Sequence, residues 1–152
     1  HTYWNFPQKE LFTKLGITSM TLEPDPSGTF IGSSFAYATA RDWAKLGLLY
    51  LKDGVWNQER ILPEGWVNYT STPTPAAIGG QYGAHFWMDA GDRKQEKKWK
   101  GVPKDMYYMS GFDGQSITII PSLKLVIVRL SYSQANSEEF GKFLEGIIGA
   151  FK

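Results

Sequence analysis

The sequence predicts an α+β protein with an antiparallel sheet flanked by helices. Helix signals dominate the first 70 residues, consecutive strand-like runs fill residues 106–132, and the last sixteen residues return to helical spacing. A doubly wound protein would instead alternate strand and helix throughout.

The first helix is marked by Pro7, suited to a first helical position, by Leu11, Phe12 and Leu15 on one face, and by Gly16 as a left-handed stop. Residues 22–35, "LEPDPSGTFIGSSF", carry two prolines, two glycines and three serines and read as an irregular connection. "YATARDWAKLGLLYLKDG" follows as the clearest helix, with Thr39 as N-cap, Trp43, Leu46, Leu49 and Tyr50 inward, and Gly54 past its end. Arg41 and Asp42 in its first turn read as a surface pair or cap.

A short helix is expected from Pro63 and Glu64 until just before Pro73, because the residue ahead of a proline disfavours the helical region. "QYGAHFWMDA" (81–90) has strand character. "MYYMSGF" (106–112) and "QSITIIP" (115–121) are strand candidates, and "LKLVIVRLSY" (123–132) reads as a central strand covered on both faces. Pro121 and Ser122 mark the turn between the last two. In "SEEFGKFLEGIIGAFK", Phe140, Phe143, Leu144, Ile147, Ile148 and Phe151 fall at helical spacing behind Ser137 as cap, so this helix should lie on the sheet.

Composition narrows the function classes. The 152 residues suit one domain, and 42% hydrophobic content is enough for a packed core. A formal net charge of +1 gives no global attraction to nucleic acid or an anionic membrane. Within residues 89–105, Arg93, Lys94, Lys97, Lys98 and Lys100 crowd around Trp99, but Glu96 interrupts the run and a solvated loop is the expected reading. With zero Cys, thiolate catalysis, disulfides and Cys-ligated zinc are excluded. No apolar run approaches the length of a membrane span. The start, "HTYWNFPQKELF", lacks Met and enters a helix at once, which reads as a fragment.

Few residues suggest chemistry directly. His1 and His85 stand apart, with neither a His-x-x-x-His nor a Cys pair, so no metal or other cofactor is expected. A Ser110, His85 and Asp113 triad has no nucleophile-elbow pattern around its Ser. Ser-x-x-Lys occurs nowhere in the chain. Six Trp and eight Tyr admit a carbohydrate-binding domain, but most fall at core-type spacings.

The segment "SGFDGQSITIIP" is different, because Gly111 and Gly114 allow the backbone to bend or approach another group closely. Gln115 then opens a strand with its N–H expected to be free on an edge. Free N–H groups of this kind can hold an oxyanion in acyl transfer.

The long run from Gly28 to Val67, followed by "YGAHFW" and "GFDGQSITIIPSLKLVIVRL", resembles the C-terminal half of the serine β-lactamase-like hydrolases. These include class C β-lactamases, DD-peptidases, esterases and 6-aminohexanoate-dimer hydrolases, and the resemblance covers nearly the whole chain. It implies a β-lactamase/transpeptidase-like fold, with residues 1–152 as the C-terminal portion of one domain. The family's Ser-x-x-Lys and Tyr motifs would then lie in an absent N-terminal portion, which would be this chain's partner. An isolated portion of this kind should be poorly stable.

The family's third motif, a Lys/His-x-Gly on a strand, is matched here to Phe112-Asp113-Gly114. The resemblance implies that the Gln115 backbone N–H is an oxyanion donor and that Gly114 admits the substrate. Phe112, Asp113, Trp87 and Tyr37 would line the substrate site. Ser33 and Ser34 run near the same cleft but are expected to be structural. Phe at position 112 removes the usual cation or donor, which shifts the expected substrate from penicillins toward an ester or small amide. The activity implied is serine hydrolysis through an acyl-enzyme, on a small-molecule ester, amide or β-lactam. The alternative is a non-catalytic module that binds peptide or peptidoglycan-like ligands. The family also implies a periplasmic or secreted setting.

Overall fold

A computed structural model describes residues 2–88, 99, 101–133 and 136–151. The helical run α1 (3–15) passes through a 3-10 turn at Tyr3–Asn5, a π segment at Gln8–Phe12 and an α turn at Thr13–Leu15. Gly16 closes it in the left-handed region (φ 65°). A two-stranded ribbon, β1 (Thr21–Leu22) and β2 (Ala36–Tyr37), follows. The loop between them is therefore more ordered than its composition suggests, and a Pro24–Phe30 bridge tightens it.

Helix α2 (Ala40–Leu51) is capped by the Thr39 side chain, as expected. Its Asp42 is neither a surface pair nor a simple cap. The carboxylate is buried and accepts from the Thr18 and Ser19 backbone N–H groups (3.0 and 2.9 Å), the Ser19 hydroxyl (2.7 Å) and Lys45 Nζ (2.7 Å). The Lys45 and Ser19 bonds hold its pKa far below the usual carboxylate range. Asp42 thereby ties the start of α2 to the chain leaving α1.

A tight hairpin, β3 (Val55–Trp56) and β4 (Glu59–Arg60), follows α2. Its turn residues Asn57 and Gln58 both have positive φ, the geometry that matches hairpin twist. Helix α3 (Trp66–Thr70) starts later than expected because Gly65 at its N-cap is left-handed (φ 78°).

The main sheet has the order β5 (Trp87–Met88), β6 (Tyr107–Ser110), β7 (Ser116–Ile120) and β8 (Leu125–Arg129), all antiparallel. β5 starts no earlier than Trp87 because His85 adopts a left-handed conformation (φ 67°) and Gly83 N–H bonds Phe86 O, turning the chain just ahead of it. The expected central strand, β8, lies at the edge of the described sheet. The fully covered strand is β7, in which all five residues are buried.

Helix α4 (Ser137–Gly149) is capped by Asn136 rather than Ser137, in a capping box with Glu139. Strand alternation divides the side chains between two layers. Tyr108, Ile120 and Ile127 meet Trp99 and α4 residues Leu144 and Ile148. Tyr107 and Ile119 face the other way, toward Phe86 and, on α2, Tyr50 and Leu51. α2 approaches the sheet so closely that a β-carbon at Gly47 would sit 2.6 Å from Val126 Cγ1. Burial raises the pKa of the Tyr107 hydroxyl well above its ordinary value.

Trp99, expected in a solvated loop, is a core residue whose indole N–H donates to Ser137 O (2.7 Å). The basic cluster that precedes it, residues 89–98, and Lys100 lie outside the described residues. Among the described residues no helix is long and apolar enough to cross a membrane.

Candidate functional site

The glycine-flanked tripeptide Phe112–Gly114 forms a 3-10 turn between β6 and β7 rather than a strand. Asp113 (φ 55°) and Gly114 (φ 78°) are both left-handed, which reverses the chain within four residues. Inside the turn, Gly111 N–H donates to Gln115 O (2.9 Å) and Gln115 N–H to Phe112 O (3.4 Å). The Gln115 N–H is therefore not free on an edge, because it faces the turn and β7 runs between β6 and β8.

The space beside Gly114 is also occupied. A β-carbon there would lie 2.3 Å from Arg129 Nη1 and 2.7 Å from Ser133 O. Arg129 Nη1 donates to Gly114 O (2.5 Å). Gly114 makes room for the protein's own guanidinium, which accounts for the second glycine.

The open edge lies one strand earlier. β5 pairs with β6 only through Trp87↔Tyr108 and Met88↔Tyr107, so no described strand flanks Met109, Ser110 or Gly111 on that side. The Gly111 bond to Gln115 sets the alternation of the β6–β7 ladder, and the N–H and C=O of Ser110 turn away from β7 toward the open side. Gly111 is extended (φ −115°, ψ 174°), which carries the same direction to the Phe112 N–H. Met109-Ser110-Gly111 is thus an x-x-Gly whose first two residues lie on a strand. Its signal in the sequence was the strand pattern that runs directly into Gly111.

Of the other expected site residues, Phe112 is 80% exposed and Trp87 40% exposed, and Trp87 stands beside Tyr108 on the strand that stops short of the open edge. Its ring packs edge-on against Tyr82 at 4.8 Å. Asp113 is half-buried in the turn. Tyr37 is exposed outside the main sheet, on β2, paired with Thr21. Among the described residues no hydrogen bond joins Ser110, His85 and Asp113, and His85 is exposed in its own turn. His1 lies outside the described residues. No group of three or more His, Asp or Glu could hold a metal ion among the described residues.

No family model matches the chain. An uncharacterized protein of Alkalihalophilus pseudofirmus is 30% identical over 109 residues, which are 68% of this chain and 32% of that protein. The chain thus spans about a third of the curated relative's length. Among solved structures, a candidate 6-aminohexanoate-dimer hydrolase from Bacillus anthracis superposes with a TM-score of 0.72 at 22% identity. The match covers 95% of this chain and 37% of that one. A β-lactamase from Mycobacterium bovis gives a TM-score of 0.69 at 14% identity, covering 97% and 56%. A candidate β-lactamase from Bacteroides dorei gives 0.62 at 13%, covering 94% and 49%. The protein has the β-lactamase-like fold of these structures, and it spans only part of each of them.

Proposed function

We propose that this chain is the sheet-bearing part of a serine hydrolase that works through an acyl-enzyme on a small ester, amide or β-lactam. The nucleophilic Ser, its Lys and the Tyr belong to an N-terminal portion outside these 152 residues, and residues 1–152 form the C-terminal portion of the same domain. The observation that carries this reading is the open edge of β6, in a fold shared with structures described as hydrolases.

In this reading the oxyanion donor is the N–H of Phe112, directly after Gly111, in place of the Gln115 N–H. A carbonyl oxygen drawn to that N–H gains stabilisation as negative charge develops on it during attack. Loss of one such donor costs on the order of 100-fold to 1,000-fold in rate. The exposed Phe112 ring and Trp87 would form an apolar wall for the acyl group, with Asp113 and Tyr37 at its margins. Met109, at the first position of the x-x-Gly, offers no cation, which supports an uncharged ester or amide over a substrate bearing a carboxylate.

The test is covalent labelling with a fluorophosphonate probe, read by intact mass. It is applied to this chain and to a polypeptide that continues it into the portion expected to carry Ser-x-x-Lys. Labelling of the longer polypeptide alone is the expected result. A folded longer polypeptide that resists the probe moves the assignment to a non-catalytic module for peptide or peptidoglycan-like ligands, a reading favoured by the missing cation.

A further inference from the structure

The turn that follows the open edge is held from outside itself. Its internal hydrogen bonds are the two between Gly111, Phe112 and Gln115, one of them long at 3.4 Å, and two of its residues are left-handed. Such a turn has little stiffness of its own. β8 ends at Arg129, opposite Ser116, and continuing that register would oppose Gln115 to Leu130 and Gly114 to Ser131. The backbone at Gly114 has already turned away, so it makes no such pairs.

The Gln115 side chain takes the place of the missing backbone. Its Oε1 accepts from Ser131 N–H at 2.9 Å, and its Nε2 donates to Ser131 O. These are the two bonds that one residue of a β-ladder would make, supplied by a side-chain amide. Arg129 adds a third attachment through Gly114 O, and its guanidinium lies 5.8 Å from the centre of the Phe143 ring on α4. The turn is thereby bolted to β8, to the 131–133 segment and to the helix behind the sheet.

We propose that Gln115 and Arg129 are positioning residues that hold the 111–115 turn so that the N–H groups of Ser110 and Phe112 keep facing the open edge of β6. The proposal rests on the hydrolase reading above for its chemical meaning, but the clamp itself is testable without it.

The first measurement is amide hydrogen exchange on the whole chain, comparing wild type with Gln115→Met, Gln115→Glu and Arg129→Met. Met fills a similar length without hydrogen bonds, and Glu keeps only the acceptor for Ser131 N–H. Exchange at the hydrogen-bonded Gly111 and Gln115 amides should quicken on the order of fivefold to tenfold in the Met variants, and by less in Gln115→Glu. Ile119 and Ile127, in the sheet centre, should hold their rates. Unchanged exchange at Gly111 and Gln115, or an equal rise at Ile119 and Ile127, overturns the clamp.

The second measurement is the rate of fluorophosphonate labelling of the longer polypeptide. Gln115→Met should lower the maximal labelling rate about tenfold while the probe's apparent binding constant stays unchanged, with Gln115→Glu between. A loosened turn with an unchanged maximal rate overturns the positioning role. Wild type that binds no label defeats the hydrolase reading instead, and the clamp then stands or falls on exchange alone.

Discussion

The two ends of β6 are built on opposite plans. At its start, Tyr107 and Tyr108 are flanked by β5 and β7 and buried between α2 and α4. At its finish, Ser110 has a described strand on one side only, and the next aromatic, Phe112, stands 80% exposed. One strand thus spends its first half on the core and leaves its second half available. The difference shows how a stable sheet can present backbone donors without weakening its centre.

Substitutions at the two ends should separate these roles. Tyr107→Ala opens a cavity against Phe86 and Ile119 and should cost about 3–5 kcal/mol in denaturant unfolding. A loss under 1 kcal/mol would mean the start of β6 is as loosely packed as its end. Gly114→Ala forces a methyl group against Arg129 and Ser133 O at positive φ, and should cost about 2–3 kcal/mol. A neutral result would show that the turn moves freely on β8.

Between the two ends, a substitution of the opposite sign is expected. Among the described residues, the buried hydroxyls of Ser116 and Thr118 have no hydrogen-bond partner. Thr118→Val should therefore raise stability by about 1 kcal/mol in the same assay. Destabilisation instead would reveal a partner for the hydroxyl and a wetter sheet centre.

Asp42 anchors the layer on the α2 side. Its depressed pKa means its contribution is full above the unfolded carboxylate range and fades as pH falls through the folded value. Asp42→Asn should thus lower Tm by a few degrees at neutral pH. The gap should narrow below about pH 4, and a gap independent of pH would rule out the charge as its source. The smallest effect is expected at the open end, where Phe112→Ala should stay within about 0.5 kcal/mol of wild type.

Elements with strong periodicity or capping were legible from the sequence: α2, α4, the three consecutive strands and the layered α+β plan. The short ribbons β1–β2 and β3–β4 were not, because two-residue strands are too short for alternation to register, and Asn57-Gln58 lacks the glycine that usually marks such a turn. Asp42 looked like a helix-start residue because its partners, Thr18 and Ser19, are more than twenty residues away. The same limit governed the site. Two glycines announced a special turn, but their reasons lay in Arg129 and in the late start of β5, which are tertiary facts. A strand's neighbours decide which of its N–H groups are free, and local pattern carries no record of them.

The shortness of the open edge has a consequence for self-association. Exposed strand edges are templates for adding another chain, and segments of about six or seven residues are the units that stack into cross-β assemblies. Here the open stretch runs only from Met109 to Gly111 before the 112–114 turn bends the backbone away. Such a stretch can meet one peptide-sized group, yet it is too brief for a neighbouring strand to grip.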